Sequence, residues 1–166
     1  CGTLLHLAGR LRAGRTEDFD RTNRGGTENV VGALAAVAPG ARLVYVSSLA
    51  AAGPSADPAG RAPEDEPTPI SAYGRSKLAG EAAARTHGGP WSILRPPAIY
   101  GPRDVDVLQF FRLAARGVVP LPAGERWVSI AHVADVVRAV VAAAAGAVSG
   151  AVAHLGEPEP LEMRAL

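Results

Sequence analysis

Short, uninterrupted apolar runs alternate along this chain with longer stretches in which apolar positions recur every three or four residues. Gly2 to Ala8 reads as a strand, followed by a loop from Gly9 to Arg15. Thr16 is placed to cap a helix, with Glu17 and Asp18 in a first turn where acidic groups suit the helix dipole. That helix runs to about Val37 and stops at Pro39-Gly40. Leu43 to Val46 are continuously apolar, as in a strand covered on both faces. Ser48 to Pro69 has no periodicity and is rich in Gly, Pro, Ala and Asp, which predicts a long loop of the kind that is commonly functional. Ser71 is expected to cap a helix from Ala72 to about Thr86, ended by Gly88-Gly89-Pro90.

Trp91 to Leu94 predicts a third strand, broken by Pro96-Pro97 into a loop through Gly101-Pro102. A helix from about Val105 to Arg116 follows, then short extended pieces between Val118 and Ile130 around Pro120, Pro122 and Gly124. A last helix, Val133 to about Ala145, leads to a strand-like Ala151 to Leu155. There are no internal repeats. Strands alternating with helices at this spacing predict an α/β domain with a parallel sheet built from βαβ units. Ligands in such sheets sit beyond the carboxyl ends of the strands, so chemistry is expected in the loops that follow the three main strands.

Composition narrows the function classes. The 166 residues are 48% apolar and 20% charged, enough for a buried core, and 17 basic against 16 acidic side chains give a net charge of +1. That balance offers no electrostatic case for nucleic acid or an anionic membrane surface. The longest apolar run, Ala139 to Val148, is far too short to span a bilayer. The single cysteine, Cys1, leaves no internal disulfide and no ligand set for a structural zinc, and no metal site is expected. With no signal-peptide pattern at the start, the expected compartment is the cytoplasm. The chain opens directly on the strand-like Cys-Gly-Thr-Leu-Leu-His-Leu-Ala, which suggests a cut inside a domain.

The basic residues carry a sharper signal. Sixteen are Arg and one, Lys77, is Lys, which suggests that lysines have drifted to arginine wherever a generic cation suffices. A retained Lys is then suspected of needing an amine, whose shape and pKa differ from those of a guanidinium. Lys77 lies four residues after Tyr73, one of only three tyrosines, so the two share a helix face. A free phenol, with a pKa of about 10, is a poor acid or base at neutral pH; a nearby ammonium favours the phenolate and lowers that pKa, as general acid/base work would require. Ser47 and Ser48 end the second strand, where a hydroxyl could bond a substrate oxygen or satisfy strand-end backbone. Asn23 lies mid-helix against its propensity, and either bonds neighbouring backbone or reaches the site.

Six segments together resemble one family. They are HLAG at His6 to Gly9, NRGGTENV at Asn23 to Val30, VYVSSLAAAG at Val44 to Gly53, YGRSK at Tyr73 to Lys77, RPPAIYGPRD at Arg95 to Asp104 and IAHVADVVRA at Ile130 to Ala139. In this order and spacing they are similar to the middle of the extended short-chain dehydrogenase/reductases, the NAD-dependent epimerase/dehydratase family. The resemblance implies a catalytic set of Ser48, Tyr73 and Lys77, with the serine 25 residues before the tyrosine. Tyr73 would be the acid/base on the reacting oxygen. Lys77 would lower its pKa and hold the nicotinamide ribose, and Ser48 would orient the substrate oxygen. Leu7, Ala8, Gly9, Asn23, Val46, Tyr73, Lys77 and the Pro96, Pro97, Ala98 turn would bind the cofactor, NAD or NADP.

The same resemblance implies a partial doubly wound, Rossmann-type parallel sheet missing its first strands. Residues 1–100 would be the later portion of the dinucleotide-binding domain, and residues 101–166 a mixed segment that begins a small substrate-binding part. The family's glycine-rich turn, which cradles the pyrophosphate, would lie before Cys1. Leu49, Ala50 and Ala51 after Ser48 cannot transfer protons, which argues against sugar dehydration, and Ala98 stands where nucleotide-sugar epimerases usually carry Asn. The expected function is a nicotinamide-dependent oxidoreductase acting on a secondary alcohol or ketone. A nucleotide-sugar epimerase and a non-catalytic dinucleotide-binding scaffold are the alternatives. The expected partner is a small-molecule substrate, not nucleic acid or membrane, with a homodimer an option for the parent protein and inactivity expected of residues 1–166 alone.

Overall fold

A computed structural model describes residues 2–55, 59–117, 127–156 and 160–162. Four strands form a parallel sheet in the order β1-β2-β3-β7: β1 (Thr3–His6), β2 (Arg42–Val46), β3 (Trp91–Arg95) and β7 (Ala151–His154). Leu5 pairs with Val44, Val44 with Ser92 and Ile93 with Val152, so the carboxyl ends of all four strands lie along one edge. The expected α/β class and Rossmann-type parallel sheet are therefore observed. Alternation along the strands splits the core in two. Leu43, Tyr45 and Ile93 pack with Val31 and Leu34 of helix α2 (Gly26–Val37) and Ala84 of α3 (Ala72–Arg85). Val44 and Leu94 pack on the other face with Val136, Val140 and Ala143 of α5 (Val133–Ala144). Leu43, Val44, Tyr45, Ile93 and Leu94 are at most 1% exposed. Each contributes about 1.5–3 kcal/mol by leaving water, which explains why these runs are apolar without interruption.

Several boundaries differ from the sequence pattern, each for a local reason. The first strand is shorter than expected and ends at His6, after which the chain turns away from the sheet. Thr16 does not cap its helix: extended Arg15 occupies the cap position without a side-chain bond, and Thr16 is the first residue of α1 (Thr16–Phe19). The helix to Val37 is interrupted by a π-helical turn over Asp20–Gly25, which carries buried Asn23. Such a turn frequently marks a functional region, and here it frees Asn23 from the helical face to bond elsewhere. The long loop begins with a 3₁₀ turn, Leu49–Ala51, whose Ala50 N–H donates to Ser48 Oγ at 3.2 Å.

Beyond Pro96-Pro97 the chain becomes extended again as β4 (Ala98–Tyr100), where the sequence suggested only loop. It pairs in parallel with β6 (Ile130–His132), placing Ala98 beside Ile130. Helix α4 (Val105–Ala114) ends two residues before the expected Arg116. The extended pieces expected from Val118 lie outside the described residues as far as position 126; β5 (Trp127–Val128) pairs antiparallel with β8 (Leu161–Glu162). Among the described residues no helix is long and apolar enough to cross a membrane.

Candidate active site

Helix α3 has an unusual buried face for a core helix: Gly74, Ser76, Lys77, Gly80, Glu81, Ala83 and Ala84. Its first turn is fixed by Ser71, whose hydroxyl accepts from the Gly74 N–H at 2.9 Å. The glycines let the helix approach its neighbours. A Cβ at Gly74 would lie 2.3 Å from the Ala50 carbonyl oxygen, and one at Gly80 would lie 2.3 Å from the Tyr45 hydroxyl. This close approach sets α3 against the end of β2, so Tyr73 and Lys77 face the carboxyl ends of the parallel strands.

A cavity of about 910 Å³ opens there. Its wall contains Leu7 and Gly9 after β1, Val46, Ser47 and Ser48 at the end of β2, and Pro96, Pro97 and Ala98 after β3. Tyr73 and Lys77 complete it from α3, and Leu11, Ile70 and Ile99 give it an apolar rim. Of the expected site residues, only Ala8 and Asn23 fall outside this wall. Asn23 sits behind it, 1% exposed, accepting from the Arg10 N–H at 2.6 Å and donating to the Arg10 carbonyl at 3.1 Å. Its amide also donates to Ser76 Oγ at 2.9 Å, which in turn donates to the Tyr73 carbonyl at 2.7 Å. Asn23 therefore bonds backbone and braces the loop after β1 against the turn that presents Tyr73. A Cβ on Gly9 would meet Asn23 Oδ1 at 3.2 Å and Lys77 Nζ at 3.5 Å, so this loop runs tightly past the amine.

The two serines point to different partners. Ser48 lines the cavity together with Tyr73, and its Oγ accepts from the Ala50 N–H at 3.2 Å. Ser47, 4% exposed, donates to Glu81 Oε1 at 2.6 Å. Burial pushes the Tyr73 phenol above its ordinary pKa, with the neighbouring Ser48 hydroxyl pulling it partly back. That corrects the expectation of a lowered value. Lys77 is turned to the Val46 carbonyl, to which Nζ donates at 2.8 Å, and lies 4.4 Å from the centroid of the Tyr45 ring. Burial at 3% exposure pulls the amine down to about 8, the nearby Glu81 charge opposing that fall.

Glu81, Arg95 and His154 were missed in the sequence. Arg95 Nε and Nη2 donate to the two Glu81 oxygens at 2.8 Å each, and neither residue is more than 1% exposed. Arg95 Nη1 lies 3.3 Å from His154 Nε2, and His154 Nδ1 lies 3.1 Å from the Arg61 carbonyl of the long loop. The available signal was a polar or charged residue set in a small or apolar stretch: Glu81 within Leu78 to Ala84, Arg95 after Trp91 to Leu94, and His154 after Ala151 to Ala153. Among the described residues no cluster of three or more His, Cys, Asp or Glu side chains is gathered to hold a metal ion.

A family model matches residues 2–156, described as the NAD-dependent epimerase/dehydratase family. The chain belongs to this family. Family relatives differ in what they are named for. The chain is 41% identical over 139 residues to a ceramide reductase of Caulobacter vibrioides, an alignment covering 83% of this chain and 39% of that protein. It superposes on MoeE5 in complex with UDP-glucose and NAD with a TM-score of 0.85 and 26% identity, covering 99% of this chain and 59% of that one. The fold also matches the ADP-L-glycero-D-manno-heptose-6-epimerase of Helicobacter pylori, with a TM-score of 0.83 and 24% identity over 99% of this chain and 56% of that one. In each case this chain spans less than two thirds of its relative's length.

Proposed function

We propose that this chain forms the catalytic floor of a nicotinamide-dependent oxidoreductase that reduces a ketone to a secondary alcohol, or runs the reverse. The observation that carries the reading is the meeting of Ser48, Tyr73 and Lys77 at the carboxyl ends of β2 and β3. The residues fit the nicotinamide end of a dinucleotide. Gly9 lets the loop after β1 line the cavity close to the Lys77 amine, which is at hand for ribose hydroxyls, and Pro96 to Ala98 give an apolar wall. A bound nicotinamide supplies or accepts the hydride at the substrate carbon.

The chain's own residues handle the proton. Ser48 donates to the substrate oxygen and holds it beside the Tyr73 hydroxyl. The Tyr73 phenol, held above its ordinary value by burial, carries its proton at neutral pH, as a group that must donate to the oxygen of a carbonyl being reduced requires. In the oxidative direction the same phenol oxygen accepts that proton. Lys77, still charged near neutral pH, stabilises the phenolate left after transfer once its Nζ leaves the Val46 carbonyl.

Two observations favour reduction over epimerisation. Identity is 41% to a protein named as a reductase, and at most 26% to the nucleotide-sugar proteins compared above. The cavity rim at Leu11, Ile70 and Ile99 is apolar. NAD is the supported cofactor, since it is the dinucleotide named with MoeE5. The test offers the full-length protein NADH with methyl nonyl ketone, and separately NAD with UDP-glucose. Net loss of NADH absorbance with the ketone is the expected result. Isomerised sugar nucleotide without net cofactor change would establish the epimerase instead.

A further inference from the structure

Three consecutive residues at the end of β2 face a single stripe of α3, and two of them are bound to it. The Val46 carbonyl accepts from Lys77 Nζ at 2.8 Å, Ser47 Oγ donates to Glu81 Oε1 at 2.6 Å, and Ser48 shares the cavity wall with Tyr73. Tyr73, Lys77 and Glu81 recur every four residues, which puts them on one helix face. Eight residues of helix make a rigid ruler of about 12 Å between Tyr73 and Glu81. The strand end is therefore pinned to the helix at Lys77 and again at Glu81.

The far pin is itself immobilised. Glu81 is wholly buried, and Arg95 grips both its oxygens from the end of β3, immediately before Pro96 of the cavity wall. A buried ion pair alone is weak evidence of a gain in stability, because apolar replacements of similar volume are often as stable. The third bond gives this pair something further to do. At 2.6 Å a neutral hydroxyl meets a carboxylate in a short, charge-assisted contact. It fixes the orientation of the residue directly before Ser48.

We propose that Ser47 and Glu81 are positioning residues: the Arg95-held carboxylate clamps Ser47 and thereby sets the Ser48 hydroxyl against Tyr73. The inference rests on the Ser48–Tyr73 reading above and deepens it. Neither Ser47 nor Glu81 touches the reacting atoms. Their effect is transmitted through one peptide unit and one helix face. Displacing a reacting group by about 1 Å can cost on the order of 10²-fold in rate.

The test compares Ser47→Ala, Ser47→Thr, Ser48→Ala and the Ser47→Ala/Ser48→Ala double variant in the full-length protein, with NADH and methyl nonyl ketone. Ser47→Ala should lower kcat between about tenfold and 10²-fold. It should leave NADH affinity unchanged and shift the melting temperature by no more than about 4 °C, the scale of one lost hydrogen bond. Ser47→Thr, which keeps the hydroxyl, should restore kcat. In the Ser48→Ala background Ser47→Ala should have little further effect on kcat, because the group it positions is gone. A readout that needs no turnover is the Tyr73 Cζ chemical shift in the NADH-bound protein, which Ser47→Ala should move and Ser47→Thr should not. An unchanged kcat and Tyr73 shift in Ser47→Ala would overturn the proposal, as would losses that simply add in the double variant. If Ser48→Ala and Tyr73→Phe themselves retain full kcat, the reading of the site falls and takes this inference with it.

Discussion

Arg95 and Glu81 form a two-pronged ion pair, Nε to Oε1 and Nη2 to Oε2 at 2.8 Å each, in the wall between β3 and α3. The guanidinium is buried with its carboxylate, and Arg85 Nη2 approaches the same carboxylate at 3.8 Å from the protein surface. Removing the charge of Glu81 would leave Arg95 ionised and buried.

Glu81→Gln is therefore expected to destabilise the fold by about 3–5 kcal/mol, the scale for breaking one side of a buried pair. A joint Glu81→Leu/Arg95→Met replacement should recover much of that loss, because no charge is then stranded. Chemical denaturation of the three proteins measures both effects. A Gln variant within about 1 kcal/mol of wild type would show that water reaches the pair.

Gly74→Ala should reverse the usual preference of helices. Alanine is favoured over glycine in a helix interior by about 0.8–1 kcal/mol. Here the added Cβ would lie 2.3 Å from the Ala50 carbonyl oxygen and 3.1 Å from Pro69 Cβ, so α3 must shift away from the turn after β2. The expected outcome is lower stability together with lower turnover, since the shift carries Tyr73 away from Ser48. A thermal melt and a rate assay on the same preparation check both.

The sheet was readable because β2 and β3 are continuously apolar, and a run that must be covered on both faces leaves little freedom in the choice of sequence. The Tyr73–Lys77 pair was visible through four-residue spacing and the loneliness of the lysine. Asn23 stood out as a misfit, but only the π-helical turn shows that it serves the loop at Arg10. Choosing Ser48 over Ser47 needed the family resemblance; the structure separates them by their partners, buried Glu81 for Ser47 and the Ala50 N–H for Ser48. Glu81, Arg95 and His154 lie on three different elements, and no local pattern pairs a glutamate with an arginine 14 positions on. Strand β4 was hidden because its partner β6 lies past a whole helix.

Acid should weaken the fold through its buried imidazoles. Burial, followed by the charge of Arg95, holds His154 below the ordinary histidine value; burial, followed by the charge of Lys77, does the same to His6. The unfolded chain, titrating at about 6.5, then takes up protons first, so stability falls as pH drops through that value. His154→Gln should lessen the fall. Denaturation midpoints at about pH 7.5 and about pH 5.5, compared between wild type and variant, measure the His154 share. An identical pH dependence in the two proteins would contradict it.

Lys77→Arg is not expected to be conservative. The amine is pulled down to about 8, so its charge is lost as pH rises through that value. If that charge helps hold the cofactor, NADH affinity should weaken above about pH 8 in the wild type. A guanidinium stays charged throughout, so the variant should lose this alkaline limb while turning over more slowly, its planar fork being a poor substitute for a compact amine. Fluorescence titration of NADH across pH checks the first part, and the rate assay the second.

Tyr73→Phe tests the central claim most directly, because it removes one hydroxyl from the cavity and leaves its walls in place. Turnover of ketone by the full-length protein should fall by about 10²–10⁴-fold, the usual contribution of a general acid/base. NADH affinity should stay close to wild type, since Lys77 and the Pro96 to Ala98 wall are untouched. Turnover within about tenfold of wild type, with NADH still bound, would contradict the assignment of Tyr73 as the proton donor.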